Sequence, residues 1–336
     1  MLRPLRLASV RRVKAIVYDR YGPPEVLRIA DVPKPDPQPD EILVKIRAAG
    51  VSRADVHTRE ANAKSGAVVS GISRLVSGVR RPRQPILGTD FAGEVAAVGS
   101  TAAGFKVGDA VFGSMGFRFG SWAEFAVMRA DRLVAPKPES LTFEQAAPVT
   151  DGGLYAQALK LAHIQPGQTV LVYGASGAIG TAGVQLAKSF GAEVTGVTTT
   201  KNLDVVRSIG ADYVIDYTAE DFTKNGKTYD VIFDAVGKHS FERCKGSLKA
   251  GGAFVATDGF SNLLLTMWTR RFGDKRVIFD IPPRFDKNSV LLLKDLIDTG
   301  RYKVIIDRVY PMDDVIEACR YVETEQKVGN VVLTIP

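Results

Sequence analysis

Apolar and polar positions change their rhythm once along this chain, near residue 146. Before that point, KAIVYDR (14–20) and EILVKIRAAGV (41–51) carry the short alternating or continuous apolar runs of strands. Between them PKPDPQPD (33–40) is a Pro/Asp linker, which can form neither a helix nor a central strand. GTDFAGEVAAVG (88–99), KVGDAVFG (106–113) and SWAEFAVMRADRLVAP (121–136) are further short β runs punctuated by glycine. After Glu144 strand-like and helix-like runs alternate: QTVLVYG, AGVQLAKSF, AEVTGVT, NLDVVRSIG, DYVIDY, YDVIFDAVG, FERCKGSLK and GGAFVAT. Such alternation predicts an α/β unit with a doubly wound parallel sheet. The chain ends in strand, helix and strand over 303–336.

One segment stands apart. In GAVVSGISRLVSGVRR (66–81), Val68, Val69, Ile72, Leu75, Val76 and Val79 share one face at helical spacing, with Arg74, Arg80 and Arg81 beside them. This predicts an amphipathic helix. It packs on its own domain, as such helices commonly do, or serves as a lid or membrane-surface element.

Composition narrows the class. The chain has 336 residues, enough for about two domains. Its two cysteines, Cys244 and Cys319, lie far apart and build neither a disulfide framework nor a zinc knuckle, which points to a reduced, cytoplasmic setting. Net charge is +7, but Arg3, Arg6, Arg11, Arg12 and Lys14 supply five of those charges before the first acid, Asp19. The basic balance is therefore mostly a tail (1–12) and does not point to nucleic acid. That tail is Arg-rich and acid-free, as mitochondrial presequences are, although short.

Candidate chemistry centres on VLVYGASGAIG (170–180), a strand running into a glycine-rich turn and then a helix. A dinucleotide turn needs a small residue for the bend, one for close backbone approach to a pyrophosphate, and one for helix–strand packing. Ala175, Gly177 and Gly180 hold those places. With Gly174, the amides of Ser176, Gly177, Ala178 and Ile179 are placed to meet phosphates at the helix start. Twenty residues after Ala175, where an NAD site usually carries an acid, the strand reads GVTTTKN. Thr198, Thr199, Thr200 and Lys201 suit a 2′-phosphate, so the pattern points to NADP(H). A rival is the nucleophile elbow, with Ser176 as nucleophile, an Asp and His239. Ala178 stands where its last glycine belongs, and the rival leaves Gly180 and the threonine run unexplained.

On GPPEVLRI, PILGTDFAGEVAAVG, VGDAVFG, SWAEFAV, LVYGASGAIGTAGVQLAK, SIGADYVIDY, YDVIFDAVG and KVGNVVL, the chain resembles the medium-chain dehydrogenase/reductases. The nearest match is their zinc-free quinone oxidoreductase branch, which includes bacterial NAD(P)-dependent alcohol dehydrogenase and reticulon-interacting NADPH oxidoreductase groups. The resemblance implies a GroES-like β-barrel substrate domain (13–146 and 304–336) and a Rossmann NADP(H)-binding domain (147–303), with the active site in the cleft between them. It implies a homodimer formed by edge pairing of Rossmann sheets through KRVIFDI (275–281). It places Tyr217 at the adenosine 2′-phosphate, and Ala235, Val236 and Asn330 on the nicotinamide side. Ser52 and Thr89 stand where zinc-dependent relatives carry ligands, so no metal is expected. Ser52 and Tyr155 replace the branch's usual Asn and Thr near the nicotinamide; Ser52 keeps a hydroxyl, and Tyr155 carries a phenol that could donate a proton. Asp55 is expected to brace its loop. Phe117, Phe119 and Trp122 form either an aromatic wall for a flat substrate or part of the core. The implied activity is NADPH-dependent reduction of quinones or α,β-unsaturated carbonyls. Alternatives are reduction of enals or 2-enoyl thioesters, and a catalytically weak NADPH-binding sensor or scaffold.

Overall fold

The structure is a computed structural model and describes residues 11–61, 70–71, 74–75, 77–259, 261–280 and 283–336. The basic tail up to residue 10 lies outside these, as do Val68, Val69, Ile72 and Val76 of the expected amphipathic face. The two apolar residues of that face that are described, Leu75 and Val79, are 65% and 58% exposed, and Val79 already lies past the helical residues. Packing onto the domain is not what these two side chains do.

Fifteen strands are described: β1 Arg12–Val17, β2 Arg28–Pro33, β3 Glu41–Val51, β4 Asp90–Val98, β5 Ala110–Ser114, β6 Phe125–Arg129, β7 Val134–Pro136, β8 Thr169–Tyr173, β9 Glu193–Thr198, β10 Tyr213–Asp216, β11 Tyr229–Asp234, β12 Leu248–Ala256, β13 Arg276–Phe279, β14 Ile306–Pro311 and β15 Asn330–Thr334. The first two pair as a hairpin. A seven-stranded sheet runs β14-β15-β3-β4-β5-β7, with β6 also on β3. A six-stranded, all-parallel sheet runs β10-β9-β8-β11-β12-β13. The β-rich first part and the alternating second part thus build separate sheets: a GroES-like domain and a Rossmann-like one.

The parallel sheet forms where the sequence is apolar on both faces. Val170, Leu171 and Val172 of β8 are fully buried, as are Ile232 and Phe233 of β11. Each such side chain stabilises the fold by about 1.5–3 kcal/mol relative to exposure. Two glycines set the turn after β8. Gly174 has φ +76°, a conformation that glycine adopts freely. A Cβ on Gly180 would lie 2.0 Å from the Gly174 carbonyl oxygen, so only glycine lets helix Ala178–Ser189 rest on the strand's end.

The halves share a core. One apolar cluster continues from Ala48 and Phe112 of the seven-stranded sheet through Leu154 and Leu159 to Val170 and Phe233. The C-terminal return also crosses over: the Gly329 amide donates to the Ser176 carbonyl at 2.7 Å, and Gly177 and Gly329 form an isolated parallel bridge. The last strand therefore fastens the barrel directly to the glycine turn.

Candidate functional site

A cavity of about 470 Å³ lies where the glycine turn, the β9 tip, the β11 end and residues 322–327 converge. Ten of the residues named above as cofactor candidates, Gly174, Ser176, Gly177, Ala178, Ile179, Thr198, Thr199, Tyr217, Ala235 and Val236, line it. Ala175 and Gly180 do not; Ala175 is fully buried, and Gly180 sits beneath the turn.

The turn fits a phosphate in two ways. Helix Ala178–Ser189 has Gly177 as N-cap and no side chain capping it, so its first amides keep their donor capacity at the positive end of a three-turn helix. A Cβ on Gly177 would meet only the Gly174 carbonyl oxygen, at 3.7 Å, so the approach to the backbone is open. Both features match the chemistry of a pyrophosphate cradle. The elbow reading has no such support. Ser176 Oγ accepts from Thr198 Oγ1 at 2.8 Å and Asn202 Nδ2 at 3.2 Å, while His239 packs edge-on against Tyr173 and Phe222.

At the β9 tip the threonines divide. Thr198 is spent on Ser176, whereas Thr199 Oγ1 is buried at the cavity without a partner. Thr200 donates instead to Asp216, which β10 brings beside the tip in register with Thr198. The C-terminal end of β9 carries no acid, but its neighbour does, and the hydroxyls of Thr200 and Thr218 hold that carboxyl below the usual range. Lys201 stands outside the cavity, its Nζ 3.4 Å from Gln326 Oε1.

Three expected residues sit elsewhere. Ser52 is buried as the N-cap of helix Arg53–Arg59, its hydroxyl donating to Asp55 Oδ2 at 2.7 Å in a capping box, so it presents no free donor. Tyr155 lines a separate pocket of about 20 Å³ with Thr257, Phe279 and Phe285, and burial pushes its phenol up to about 12. Such a phenol is a poor acid near neutrality. Asn330 is buried behind the cavity, its Nδ2 donating to the Ile305 carbonyl, while its Oδ1 has no partner. Of the aromatic trio, Trp122 is core, donating from Nε1 to the Gly50 carbonyl, and Phe117 is 75% exposed. Asp55 does brace its loop, accepting from the amides of Ser52 and Gly88 at 2.9 Å each.

Residues 38–139 match the alcohol dehydrogenase GroES-like domain family, and residues 209–333 match the zinc-binding dehydrogenase family. The chain is 32% identical to 2-methylene-furan-3-one reductase of Solanum lycopersicum over 96% of its length and 79% of that protein. It is 30% identical to the chloroplastic NADPH-dependent alkenal/one oxidoreductase of Arabidopsis thaliana, over 96% and 80%. The quinone oxidoreductase of Coxiella burnetii superposes with a TM-score of 0.85 at 28% identity, covering 97% of this chain and all of that one. The chain belongs to the medium-chain dehydrogenase/reductase family. Within it, this chain stands in the quinone oxidoreductase branch.

Zinc-dependent members of this family hold the metal on Cys, His and acidic side chains. In this medium-chain dehydrogenase/reductase the corresponding donors do not fit: Ser52 caps a helix, and Thr89 donates to Asp90. Among the described residues no group of three or more His, Cys, Asp or Glu is placed to hold a metal ion.

What the motifs did not single out is the charged lining opposite the glycine turn. Arg53, Asp151, Lys238, Glu325 and Lys327 all face the cavity. Lys327 Nζ donates to the Gly329 carbonyl at 2.7 Å; burial pushes it below the ordinary lysine range, opposed by the charges of Asp151 and Asp307. Beneath Asp151 lies fully buried Asp90, held by Thr89 and Thr150 and raised by burial and by Asp151. The only hint in the sequence was position: Lys238 directly follows DAVG, and Lys327 opens KVGN.

Proposed function

We propose that this chain is an NADPH-dependent reductase of quinones and α,β-unsaturated ketones, working in the cleft between its Rossmann domain (147–303) and its substrate domain (13–146 with 304–336). One arrangement carries the reading. A single cavity joins an uncapped helix start and open glycine turn to a titratable pair, Asp151 and Lys327. When bound, a reduced nicotinamide dinucleotide supplies a hydride to an electron-poor acceptor.

The chain's own groups do the rest. The amides of Ser176, Ala178 and Ile179 hold the pyrophosphate, that of Gly177 being engaged by the Gly174 carbonyl, with Ala235 and Val236 against the nicotinamide half. Thr199 Oγ1, with no partner of its own, and exposed Tyr217 take the 2′-phosphate, and Lys201 adds positive charge; Asp216 opposes it, which makes the NADPH preference a matter of balance. The Lys327 ammonium donates to the acceptor oxygen as negative charge grows there, and the charge of Asp151 opposes the loss of its proton that burial favours. Lys327 takes the role that buried, weakly acidic Tyr155 is badly placed to fill. The names of the plant relatives, a furanone reductase and an alkenal/one oxidoreductase, support enones beside quinones as acceptors.

Oligomerisation follows the sheet. β13 is an edge strand, and helix Ser261–Arg271 beside it exposes Leu264, Met267 and Trp268. We infer a homodimer that covers both. Among the described residues no helix is long and apolar enough to cross a membrane. The test is stopped-flow NADPH oxidation against a panel of quinones, enones, enals and 2-enoyl thioesters. Turnover of quinones or enones supports the reading; no NADPH oxidation by any of these acceptors, with saturated alcohols oxidised in a parallel assay with NADP⁺, overturns it.

A further inference from the structure

The helix Val315–Glu323 ends in an unusual way. After Thr324 the chain turns through Glu325, whose φ is +58° and whose amide donates to the Val322 carbonyl. This is the left-handed position just past a helix end, where glycine is preferred because a Cβ is strained. Ala61, Phe119 and His163 are the other described non-glycine residues with positive φ, and none of these lines the cavity. An observed backbone outlier at a site invites a functional account.

The side chain supplies one. Glu325 Oε1 lies 2.7 Å from Arg53 Nη1, and Oε2 lies 3.2 Å from Lys238 Nζ. Arg53 opens the helix of the barrel half, and Lys238 follows β11 of the Rossmann half. One carboxylate therefore bridges the two walls of the cavity. Of the lining cations, Lys327 is engaged by a carbonyl, so Arg53 and Lys238 are the two that Glu325 neutralises.

The frame around them is fixed. Arg59 is fully buried on the same helix as Arg53, and it pairs with Glu60 at 3.1 Å and with Glu323 at 2.5 Å, two residues before Glu325. The Glu325 pairs are not buried: the side chains of Arg53, Lys238 and Glu325 are each about half exposed. Exposed pairs of this kind contribute little and exchange readily. A phosphate diester offers the same cations a comparable anion, and an arginine can grip it in two-point fashion.

We propose that Glu325 is a resident anion that occupies the phosphate-binding cations Arg53 and Lys238 until dinucleotide phosphate displaces it, and that it thereby weakens cofactor binding and limits cofactor residence. This rests on the reading that a pyridine dinucleotide binds in this cavity. A carboxylate left beside an incoming phosphate repels it, so Glu325 opposes binding both as competitor and as like charge.

The test uses the full chain, with Kd for NADPH and NADH measured by titration of nucleotide fluorescence. Glu325→Gln, which keeps the side-chain size and the backbone conformation, is expected to tighten NADPH about three- to tenfold and to slow its dissociation. Glu325→Gly, which also relieves the left-handed strain, is expected to tighten it similarly. Arg53→Gln is expected to weaken NADPH by a larger factor in the Glu325→Gln background than in the native chain, because there the arginine has no carboxylate to leave. If Glu325 is only a structural brace, its removal lowers the melting temperature and leaves Kd unchanged, which overturns the proposal. Weaker binding in both Glu325 variants overturns it as well. A native chain that binds neither dinucleotide refutes the reading of the cavity itself, and this proposal with it.

Discussion

Asp90 offers a sharp test of the electrostatics beneath the cavity. Thr150 Oγ1 lies 2.5 Å from Asp90 Oδ1 and 3.0 Å from the Gly113 carbonyl oxygen. A hydroxyl has one proton, and a carbonyl can only accept. Both contacts are satisfied at once when Asp90 is protonated and donates to Thr150, which donates to Gly113. Thr89 Oγ1, 2.5 Å away, donates to the other Asp90 oxygen. No cation is among the causes acting on this carboxyl; burial, Asp151 and Asp55 all push it well above the ordinary carboxylate range. A neutral Asn fills the same hydrogen-bond pattern, its amide donating to Thr150. Below the ordinary Asp value, where the carboxyl is neutral in folded and unfolded chain alike, Asp90→Asn is therefore expected to change stability by less than about 1 kcal/mol, whereas Asp90→Ala leaves the part-buried Thr89 hydroxyl without its acceptor, at about 1–3 kcal/mol. The pH dependence has a definite sign. Folded Asp90 holds a proton that the unfolded chain has released, so its contribution is full below the ordinary Asp value and is lost as pH rises to the raised folded value. Across that window the native protein loses up to about 1.4 kcal/mol per pH unit through this group. Asp55, pushed up to about 6 by burial, and Asp151, also raised, act in the same direction and remain in the variant. Urea unfolding from about pH 5 to about 8.5 should show Asp90→Asn gaining on the native chain as pH rises. Parallel pH profiles, or a loss in Asp90→Asn as large as in Asp90→Ala, would refute a neutral Asp90.

Other outcomes follow from the same geometry. Lys327→Met should lower kcat for an enone about tenfold or more while leaving the Kd for NADPH near native, and the native kcat should fall with rising pH below the range of an ordinary lysine; stopped-flow rates across a pH series check both. Lys201→Ala should weaken NADPH about fivefold and NADH hardly at all, and Asp216→Asn should shift the preference the other way; paired titrations with the two dinucleotides decide this. Trp268→Asp with Met267→Asp should convert a dimer to a monomer in light scattering without loss of helical signal, and an unchanged mass would remove that face from the interface.

The glycine turn was legible because each of its requirements names a residue type. A close helix contact leaves Gly180 no substitute, Gly177 keeps the approach open, and the bend that the motif put at Ala175 falls at Gly174 with its positive φ, while the apolar runs of β8 and β11 declare a sheet covered on both faces. The charged wall was not legible for a converse reason. Arg53, Lys238, Glu325 and Lys327 come from three stretches of chain, and in sequence each reads as an ordinary solvated charge. Only the crossover that bonds Gly329 to Ser176 brings them to one cavity. The misplacements share that origin. Ser52 and Tyr155 were placed by correspondence with the family, which fixes the position of a Cα but not the claims its neighbours make on a side chain. Asp55 claims the Ser52 hydroxyl, and Phe285 packs edge-on against the Tyr155 ring away from the cavity. Asp216 shows the same lesson between strands: a search for acids along β9 cannot see a carboxylate that parallel pairing delivers from β10. Motifs that constrain backbone survive translation from sequence to structure, whereas a side chain's role is decided by which groups the fold sets beside it.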